Sequence, residues 1–285
     1  MEFSVLVIAH QRAGHLQRLL DGVQRSSVLP QEVIVVYMDD PYPEPVSCDV
    51  PLKALHIQST PEESGLPLAR ARNTAAANAS TEQLVFLDVD CIPSAQAFER
   101  LLQALGEHSA LAMAEPRYLK GPIASGPTPY DFTLCELSVP HHARAALPTD
   151  VPCEMHEHFW SLGFAISSSD FKRVRGFCLE YSGYGAEDTD FAFTARRHGI
   201  PVVFTRAVVF HQHHGVSKPP LNHFDAIVAN ASKFHARWGV WPMEGWLSAF
   251  AHMGLLRWAS DGRTLEILQH PTPLQIQHVR SQDAY

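Results

Sequence analysis

The sequence predicts an α/β fold in which a mostly parallel sheet is flanked by helices. Over the first 115 residues, short apolar runs typical of buried strands alternate with apolar residues at helical spacing. Of the 285 residues, 46% are hydrophobic and 18% are charged, a balance that supplies a core and excludes wholesale disorder. The apolar run at residues 84–87 also leads into two aspartates, at the strand ends where such sheets bind ligands.

The first part of the chain contains four predicted strands and three predicted helices. The strands lie at residues 5–9, 33–36, 52–57 and 84–87. The helices are indicated by apolar spacing at residues 16–23, by an alanine-rich stretch at 66–79, and by an apolar face at 98–105 with Ser94 as its N-cap.

The rest of the chain is less regular. Residues 121–152 are rich in proline and glycine and predict a loop or an insertion. Regular structure resumes at residues 159–167, 169–175, 187–198 and 201–210. After His211 the pattern is mainly helical, and it gives way to a polar tail after Gln269.

Charge and cysteine usage exclude several classes of protein. The 22 basic and 30 acidic residues give a net charge of −8, so no basic field is available to bind nucleic acid. The five scattered cysteines include no CxxC pair, which favours reduced thiols in a cytosolic protein. The sequence begins without a signal peptide, and its longest apolar run, at 246–259, is too short to span a bilayer. We therefore expect a soluble, cytoplasmic protein that does not bind nucleic acid.

Asp88 and Asp90 are the strongest local signal for chemistry. In an extended backbone, residues i and i+2 point to the same face, so both carboxylates project from the end of the strand. Two such oxygen ligands suit Mg²⁺ or Mn²⁺, with coordination positions left for water and a diphosphate. The alternative is that the two acids only cap the helix that follows.

A glycine-rich segment and a histidine cluster are the other two signals. Gly183 and Gly185 precede Glu187 and Asp188, so a ligand could approach the backbone closely and leave one carboxylate to accept its proton. The alternative is that these acids only complement a helix dipole. His211 and His213 share a face at the end of the last strand, where at least one could ligate a metal; otherwise they are solvated surface residues.

In their order along the chain, these motifs resemble glycosyltransferase family 2, whose members have the GT-A fold. The stretches that carry the resemblance are Val-Ile-Val-Val-Tyr-Met-Asp-Asp at 33–40, Arg-Asn at 72–73, Phe-Leu-Asp-Val-Asp at 86–90, and Gly-Tyr-Gly-Ala-Glu-Asp at 183–188. The second half is similar to the carboxyl region of animal β-1,4-galactosyltransferases, and the whole resemblance covers about residues 3–225.

The resemblance implies a division of one GT-A domain into functional halves. Residues 1–115 would form the nucleotide-sugar-binding half and 116–225 the acceptor-binding and catalytic half. Residues 226–285 would form a helical extension and the polar tail.

The resemblance also assigns residues to the donor. Asp88 and Asp90 match the DxD element that binds the divalent metal, Mn²⁺ or Mg²⁺, and the diphosphate. Asp40 or its neighbour Asp39 matches the acid that contacts the nucleotide base. Arg72 and Asn73 match the family's Arg-Asn pair, which lies close to the donor.

The remaining assignments concern the acceptor and the metal. Asp188 matches the catalytic base of an inverting transfer, with Glu187 beside it, and Tyr184 and Gly185 lie in the acceptor loop. The ring of Tyr184 would either stack on a sugar or pack internally. His211 matches a histidine that ligates the metal, and His213 is its alternative.

The expected activity is therefore transfer of a hexose from a nucleotide sugar, with UDP as the nucleotide, to a saccharide or a lipid-linked saccharide. A nucleotidyltransferase of related fold would carry a glycine-rich basic loop after the first strand, but residues 9–14 contain one glycine. A metal-dependent hydrolase would need more ligands there than His10. A non-catalytic carbohydrate-binding protein would be expected to lack Asp188 or the DxD acids.

Tryptophan clusters in the C-terminal region, where four of the five occur. They are Trp238, Trp241, Trp246 and Trp258. We expect them to pack helices against the catalytic domain. The alternative is an interfacial surface for a lipid-linked acceptor, with peripheral contact at the inner face of the membrane.

Overall fold

The computed structural model describes residues 2–63 and 65–281. Ten strands form one large sheet: β1 (Phe3–Ala9), β2 (Glu32–Met38), β3 (Leu52–Ile57), β4 (Gln83–Asp88), β5 (Cys91–Pro93), β6 (Leu111–Leu119), β7 (Ser138–Pro140), β8 (Pro152–Cys153), β9 (Gly163–Ser167) and β10 (Val202–His211). Its main path runs β3-β2-β1-β4-β9-β6-β10-β5, with β7 paired to β6 and β8 paired to β10.

Two short ribbons complete the strands. They are formed by β11 (Val216–Ser217) with β14 (Arg280–Ser281), and by β12 (Leu256–Arg257) with β13 (Glu266–Ile267).

The helices cover both faces of the sheet and continue beyond it. They are α1 (Ala13–Gln24), α2 (Leu68–Ala77), α3 (Ala97–His108), α4 (Asp131–Glu136), α5 (Ser168–Arg173), α6 (Glu187–Arg197), α7 (Phe224–Trp238), α8 (Glu244–His252) and α9 (Pro273–His278). Short 3₁₀ turns lie at His142–Ala146, His156–His158 and Leu221–His223.

The first four strands form the parallel half of the sheet. β1 pairs in parallel with β2 and β4, and β2 pairs in parallel with β3. All seven residues of β1 are buried because helices cover both faces, which accounts for its continuous apolar run. This half confirms the predicted α/β fold, and its carboxyl edge carries the residues that follow β1, β2 and β4.

The other half of the sheet contains a reversal. β9 runs antiparallel to both β4 and β6, while β6 and β10 run parallel to each other. No strand is predicted at residues 111–119, and β6 contains Pro116, a residue that is rare in central strands. Pro116 lies beyond the residues of β6 that pair with β9, Ala112 and Met113. The predicted boundary between residues 115 and 116 falls inside this strand.

The prediction that Ser94 caps α3 is wrong. The N-cap is Gln96, and its side chain makes no capping hydrogen bond. The backbone N–H of Ala95 instead donates to the carboxylate of Asp131 at 2.8 Å. This contact, 36 residues away in sequence, holds the segment just before α3 without capping the helix.

The C-terminal helices enclose a separate apolar cluster. Phe224 and Ile227 of α7 pack with Leu247 and Phe250 of α8, and Trp241 is buried beside them. The segment after Gln269 is folded up to residue 281 as α9 and β14, although α9 buries none of its residues. The last four residues of the predicted tail lie outside the described part of the chain. Within that part, no helix has both the length and the apolar composition to cross a membrane.

Candidate active site

The candidate site lies at the carboxyl edge of the sheet, where the chain leaves β4 and β10. Asp90 follows β4, and its backbone carbonyl accepts a hydrogen bond from the N–H of Gln212 at 2.7 Å. Pairing of His211 with Cys91 fixes the end of β10 beside that loop. Two segments that are far apart in sequence are therefore held together by backbone contacts at this edge.

Asp90, His211 and His214 form a cluster with the composition of a metal site. Nε2 of His211 lies 3.5 Å from Oδ1 of Asp90, and Nε2 of His214 lies 3.4 Å from Oδ2. The three ligand atoms all lie within 4.8 Å of one another. Asp90 is buried and the two imidazoles are partly buried, so the cluster is shielded without being closed to solvent.

The electrostatics keep this cluster ready to bind a cation. Burial alone would raise the pKa of Asp90, but His211, His214 and Arg12 outweigh burial and hold that pKa well below its usual range. Burial lowers the pKa of His211, against the opposing effect of Asp90, so its imidazole is neutral near pH 7 and keeps a lone pair. One carboxylate and two imidazoles suit Mn²⁺ or another transition-metal ion better than Mg²⁺, which prefers oxygen ligands.

Asp88, the other aspartate of the strand end, takes part in a second ionic group. Nη2 of Arg72 lies 3.0 Å from Oδ1 of Asp88, and Nη1 lies 3.4 Å from Oε1 of Glu187. The side chain of Arg72 is buried, which makes this guanidinium a bridge inside the protein between β4 and α6. The bridge connects the strand end to the start of the helix that carries Asp188.

Glu187 and Asp188 occupy the first turn of α6. Burial, followed by the charge of Asp188, raises the pKa of Glu187 to about 7, and its Oε2 is buried without a hydrogen-bond partner among the described residues. Burial also raises the pKa of Asp188, although the backbone N–H groups of Thr189 and Ser161 and the charge of Arg72 oppose the increase. Such raised pKa values are typical of carboxylates that exchange a proton with a ligand.

Hydrogen bonds from Asn230 of α7 hold the loop before α6. Its side-chain amide donates to the carbonyls of Ser182 at 3.0 Å and Gly185 at 2.9 Å. Gly185 has a φ of +102°, and a Cβ atom there would lie 2.7 Å from Sδ of Met243. The backbone conformation therefore requires glycine, and any larger residue would also displace the flexible side chain of Met243.

Tyr184 stacks between two rings of the C-terminal region. Its ring centroid lies 4.7 Å from that of His223 and 5.7 Å from that of Trp246. These contacts agree with the packing alternative for Tyr184 and fix the orientation of its ring. Its contact with a sugar stays a prediction.

Two family models match consecutive parts of the chain. Residues 4–145 match glycosyl transferase family 2, and residues 142–214 match the model described as the N-terminal domain of galactosyltransferase. The chain belongs to glycosyltransferase family 2. The predicted GT-A fold is confirmed with it.

Curated relatives of this family 2 chain include two bacterial glucosyltransferases. Validoxylamine A glucosyltransferase from Streptomyces hygroscopicus subsp. limoneus is 27% identical over 229 residues, which cover 71% of this chain and 49% of that protein. The protein of the same name from S. hygroscopicus subsp. jinggangensis has the same identity, with 53% of its length covered. The chain thus spans about half the length of the curated relatives it matches.

Solved structures of similar fold include TarS from S. aureus. One TarS crystal structure has a TM-score of 0.54 at 16% identity, covering 82% of this chain and 40% of TarS. A crystal structure of TarS 1-349 in complex with UDP has a TM-score of 0.51 and the same identity, with 66% of that chain covered. At this identity the likeness concerns the fold.

Of the four predicted metal ligands, Asp90 and His211 lie in the carboxylate–imidazole cluster, whereas Asp88 and His213 lie outside it. Asp88 pairs with Arg72. β10 ends at His211, so the i, i+2 alternation that would have aligned His213 stops there. His213 lines a surface groove along α1, and His214 takes the position beside Asp90.

The two candidate base-contacting acids are in different surroundings. Both carboxylate oxygens of Asp39 accept hydrogen bonds from Ser59, which hold the pKa of Asp39 below its usual value. The carboxylate of Asp40 accepts one hydrogen bond of 3.3 Å from the N–H of Gln11. Asp39 is therefore committed to the segment after β3, while Asp40 faces the loop after β1.

Asn73 takes part in a backbone clamp. Its amide donates to the carbonyl of Phe177 and accepts from the N–H of Phe177, both at 2.8 Å. A Cβ atom on the preceding Gly176 would lie 2.5 Å from Oδ1 of Asn73. The structure thus gives Asn73 a part in holding this turn, and its contact with the donor stays a prediction.

Sequence reasoning missed His214, Arg12 and Asn230. His214 could have been found from its i, i+3 spacing to His211, a spacing that brings two side chains together when a strand end curls. Arg12 and Asn230 act through contacts 78 and 45–48 residues away, and no local pattern marks them.

Proposed function

We propose that the chain is an inverting, metal-dependent glycosyltransferase that moves a hexose from a nucleoside-diphosphate sugar to an acceptor hydroxyl. The observation that carries the proposal is the connection between two groups. Asp90 lies in a carboxylate–imidazole cluster, and Asp88, two residues earlier, is joined through Arg72 to Glu187, next to Asp188. A donor-binding group and a proton-accepting group are thus held at fixed positions on one sheet edge.

For the donor, we propose UDP-linked hexose and Mn²⁺. Asp90, His211 and His214 would hold the cation, with Asp88 on the side that faces Arg72. When bound, a divalent cation there supplies the positive charge that a departing diphosphate requires. The UDP complex of TarS and the glucosyltransferase activity in the names of the two Streptomyces relatives support this choice of nucleotide and sugar. Asp40 is the preferred contact for the base, since Asp39 is bound to Ser59.

For the chemical step, we propose Asp188 as the general base. It would accept the proton of the acceptor hydroxyl, whose oxygen forms a bond to the anomeric carbon while the bond from that carbon to the diphosphate oxygen breaks on the opposite face. Thr189 and Ser161 donate backbone hydrogen bonds to Asp188 and so orient its carboxylate. Glu187, which bonds to Arg72, would position this turn of α6.

For the acceptor, we propose a saccharide bound against the loop that contains Tyr184 and Gly185. Trp241 is buried, and its indole N–H donates to the carbonyl of Gly262 at 2.8 Å. Trp246 and Trp258 pack on the same C-terminal cluster. These contacts explain the tryptophan clustering as core packing, so a lipid-linked acceptor with membrane contact is the weaker proposal. Reaction in the cytoplasm is proposed because nucleotide sugars are the donors.

Two experiments test the proposal. The first is calorimetric titration with UDP, with and without Mn²⁺. The second is a set of transfer assays with UDP-glucose, UDP-galactose and UDP-N-acetylglucosamine. We expect UDP to bind in the presence of Mn²⁺, and one UDP-hexose to be consumed when a saccharide acceptor is supplied. Absence of UDP binding with Mn²⁺ present would contradict the proposed donor.

A further inference from the structure

Three basic side chains face the carboxylate of Asp90, and one of them is unable to ligate a metal. His211 and His214 present ring nitrogens to its two oxygens. Nη1 of Arg12 contacts Oδ2, the oxygen that His214 also faces. A guanidinium has only N–H donors and remains protonated, so Arg12 is a fixed positive charge at the mouth of the cluster.

We infer that Arg12 and the divalent cation compete for Asp90, so that Arg12 acts as the counter-ion of the metal-free site. Metal ions lie about 2 Å from the carboxylate oxygens that ligate them. A guanidinium bonded to that same carboxylate would be repelled at such short range. This inference rests on the metal site of the proposed function.

The surroundings of Arg12 allow it to leave. Arg12 is the N-cap residue of α1, and its side chain is 36% exposed, against 9% for that of Asp90. Among the described residues, Asp90 is the side-chain hydrogen-bond partner found for Arg12. Asp90 is held in place by its neighbours on β5 and by the backbone bond from Gln212. Movement of Arg12 would therefore break one ion pair and leave the carboxylate where it is.

The contact between Arg12 and Asp90 also gives the buried carboxylate a counter-charge when no cation is bound. Arg12 is the permanently charged cation among the three basic side chains that face the carboxylate of Asp90. An ionised carboxylate without a counter-charge is costly inside a protein. Arg12 supplies that charge until a cation takes its place.

The direct test is the affinity of the whole chain for Mn²⁺ alone, measured by electron paramagnetic resonance of the free ion. Removing a competing ion pair in Arg12→Gln should strengthen Mn²⁺ binding by about three- to tenfold. Arg12→Lys, which keeps the charge, should stay within about twofold of the wild type. Arg18→Gln is the matched control on the same helix, because Arg18 donates to the carbonyl of Ala124 instead of to Asp90.

Two further variants separate failure of this inference from failure of the metal site. Asp90→Asn and His211→Ala should each abolish most Mn²⁺ binding. If both bind Mn²⁺ as the wild type does, the metal site itself is misassigned. If both lose binding while Arg12→Gln binds Mn²⁺ equally or more weakly than the wild type, the metal site stands and competition by Arg12 is refuted.

If Arg12→Gln does not fold, the inference can be tested on the wild-type protein. Dicarbonyl reagents modify arginines that are not engaged in ion pairs, and mass spectrometry locates the modified positions. Competition predicts that Mn²⁺ speeds modification of Arg12 and leaves Arg18 unchanged. An unchanged or slower rate at Arg12 in saturating Mn²⁺ would overturn the inference.

Discussion

Arg72 and Glu187 form a buried ion pair, with Nη1 and Oε1 3.4 Å apart, between residues separated by 115 positions in the sequence. The other arm of the same guanidinium binds Asp88. One positive charge thus joins the end of β4 at Asp88 to the helix that begins at Glu187. Several properties of the protein should depend on that single side chain.

Removal of Arg72 should destabilise the fold strongly. In Arg72→Met, Glu187 and Asp88 lose their counter-charge, and breaking a buried pair in this way costs about 3–5 kcal/mol. Denaturant unfolding followed by circular dichroism measures the change. Arg206→Met is the control, because Arg206 pairs with Asp150 at the surface and such pairs contribute about 0–1 kcal/mol. Equal losses in the two variants would argue against the bridge.

The raised pKa of Glu187 predicts a pH dependence of stability. Its pKa is about 7 in the folded protein, against 4.5 for an ordinary glutamate. An acid whose folded pKa is raised favours the folded state fully below its unfolded pKa, and this contribution is lost as the pH rises through the folded pKa. The free energy of unfolding of the wild type should therefore fall relative to that of Glu187→Gln between about pH 4.5 and pH 7. The exposed variant Glu157→Gln is the control, and a constant gap for Glu187→Gln would contradict the buried carboxyl.

Alanine variants of the neighbouring residues His214 and His213 test which histidine belongs to the proposed metal site. His214→Ala removes a ring nitrogen beside Asp90 and should weaken Mn²⁺ binding by at least about tenfold. His213→Ala changes a residue of the groove along α1 and should alter Mn²⁺ affinity by less than about twofold. Calorimetric titration of both variants with Mn²⁺ decides whether His214 or His213 is the ligand. The reverse order of effects would restore the prediction made from strand alternation.

Substitutions of Asp188 and of Asp90 should have different effects, the first on transfer and the second on donor binding. Asp188→Asn keeps the shape of the side chain but removes the proton acceptor, so transfer should fall by a factor of at least about 10² while UDP affinity stays near that of the wild type. Asp90→Asn should weaken Mn²⁺ and UDP binding together. Asp261→Asn, at an exposed position, is the control. Transfer at the wild-type rate by Asp188→Asn would show that another group accepts the proton.

Substitution of Asn230 should affect the loop at residues 182–185 and leave the Asp90 cluster unchanged. Asn230→Ala leaves the carbonyls of Ser182 and Gly185 without their donor, and a loss of about 1–3 kcal/mol in stability is expected. Transfer should fall with it because the loop before Asp188 loses its support, whereas Mn²⁺ affinity should not change. Asn222→Ala, at an exposed position just before α7, should have neither effect. Unfolding curves and transfer rates of the two variants provide the comparison.

The parts of this structure that sequence patterns predict are those with local causes. β1, β2 and β4 follow from continuous apolar runs, and α1 follows from leucines at helical spacing. Asp88, Asp90, Glu187 and Asp188 stand out because they begin or end such elements. Local periodicity and the polar residues next to it were enough to indicate the sheet edge that carries the candidate site.

What the sequence left open depends on contacts between distant segments. β6 carries Pro116, and it is held as a strand by its pairing with β7, β9 and β10. The choice of His214 over His213 depends on how the chain turns after β10. The position of Arg12 against Asp90 depends on the end of β1 meeting the end of β4. None of these outcomes is encoded within a window of ten residues.

The antiparallel strand β9 has a consequence for any attempt to divide this protein. In space it lies between β4 and β6, so a strand from the later part of the chain separates two strands from the earlier part. A fragment that stops near residue 115 would leave β4 with an unpaired, apolar edge, the kind of edge that promotes aggregation. The segments before and after residue 115 are therefore interleaved in one sheet, and neither is expected to be inherited, expressed or exchanged as a separate module.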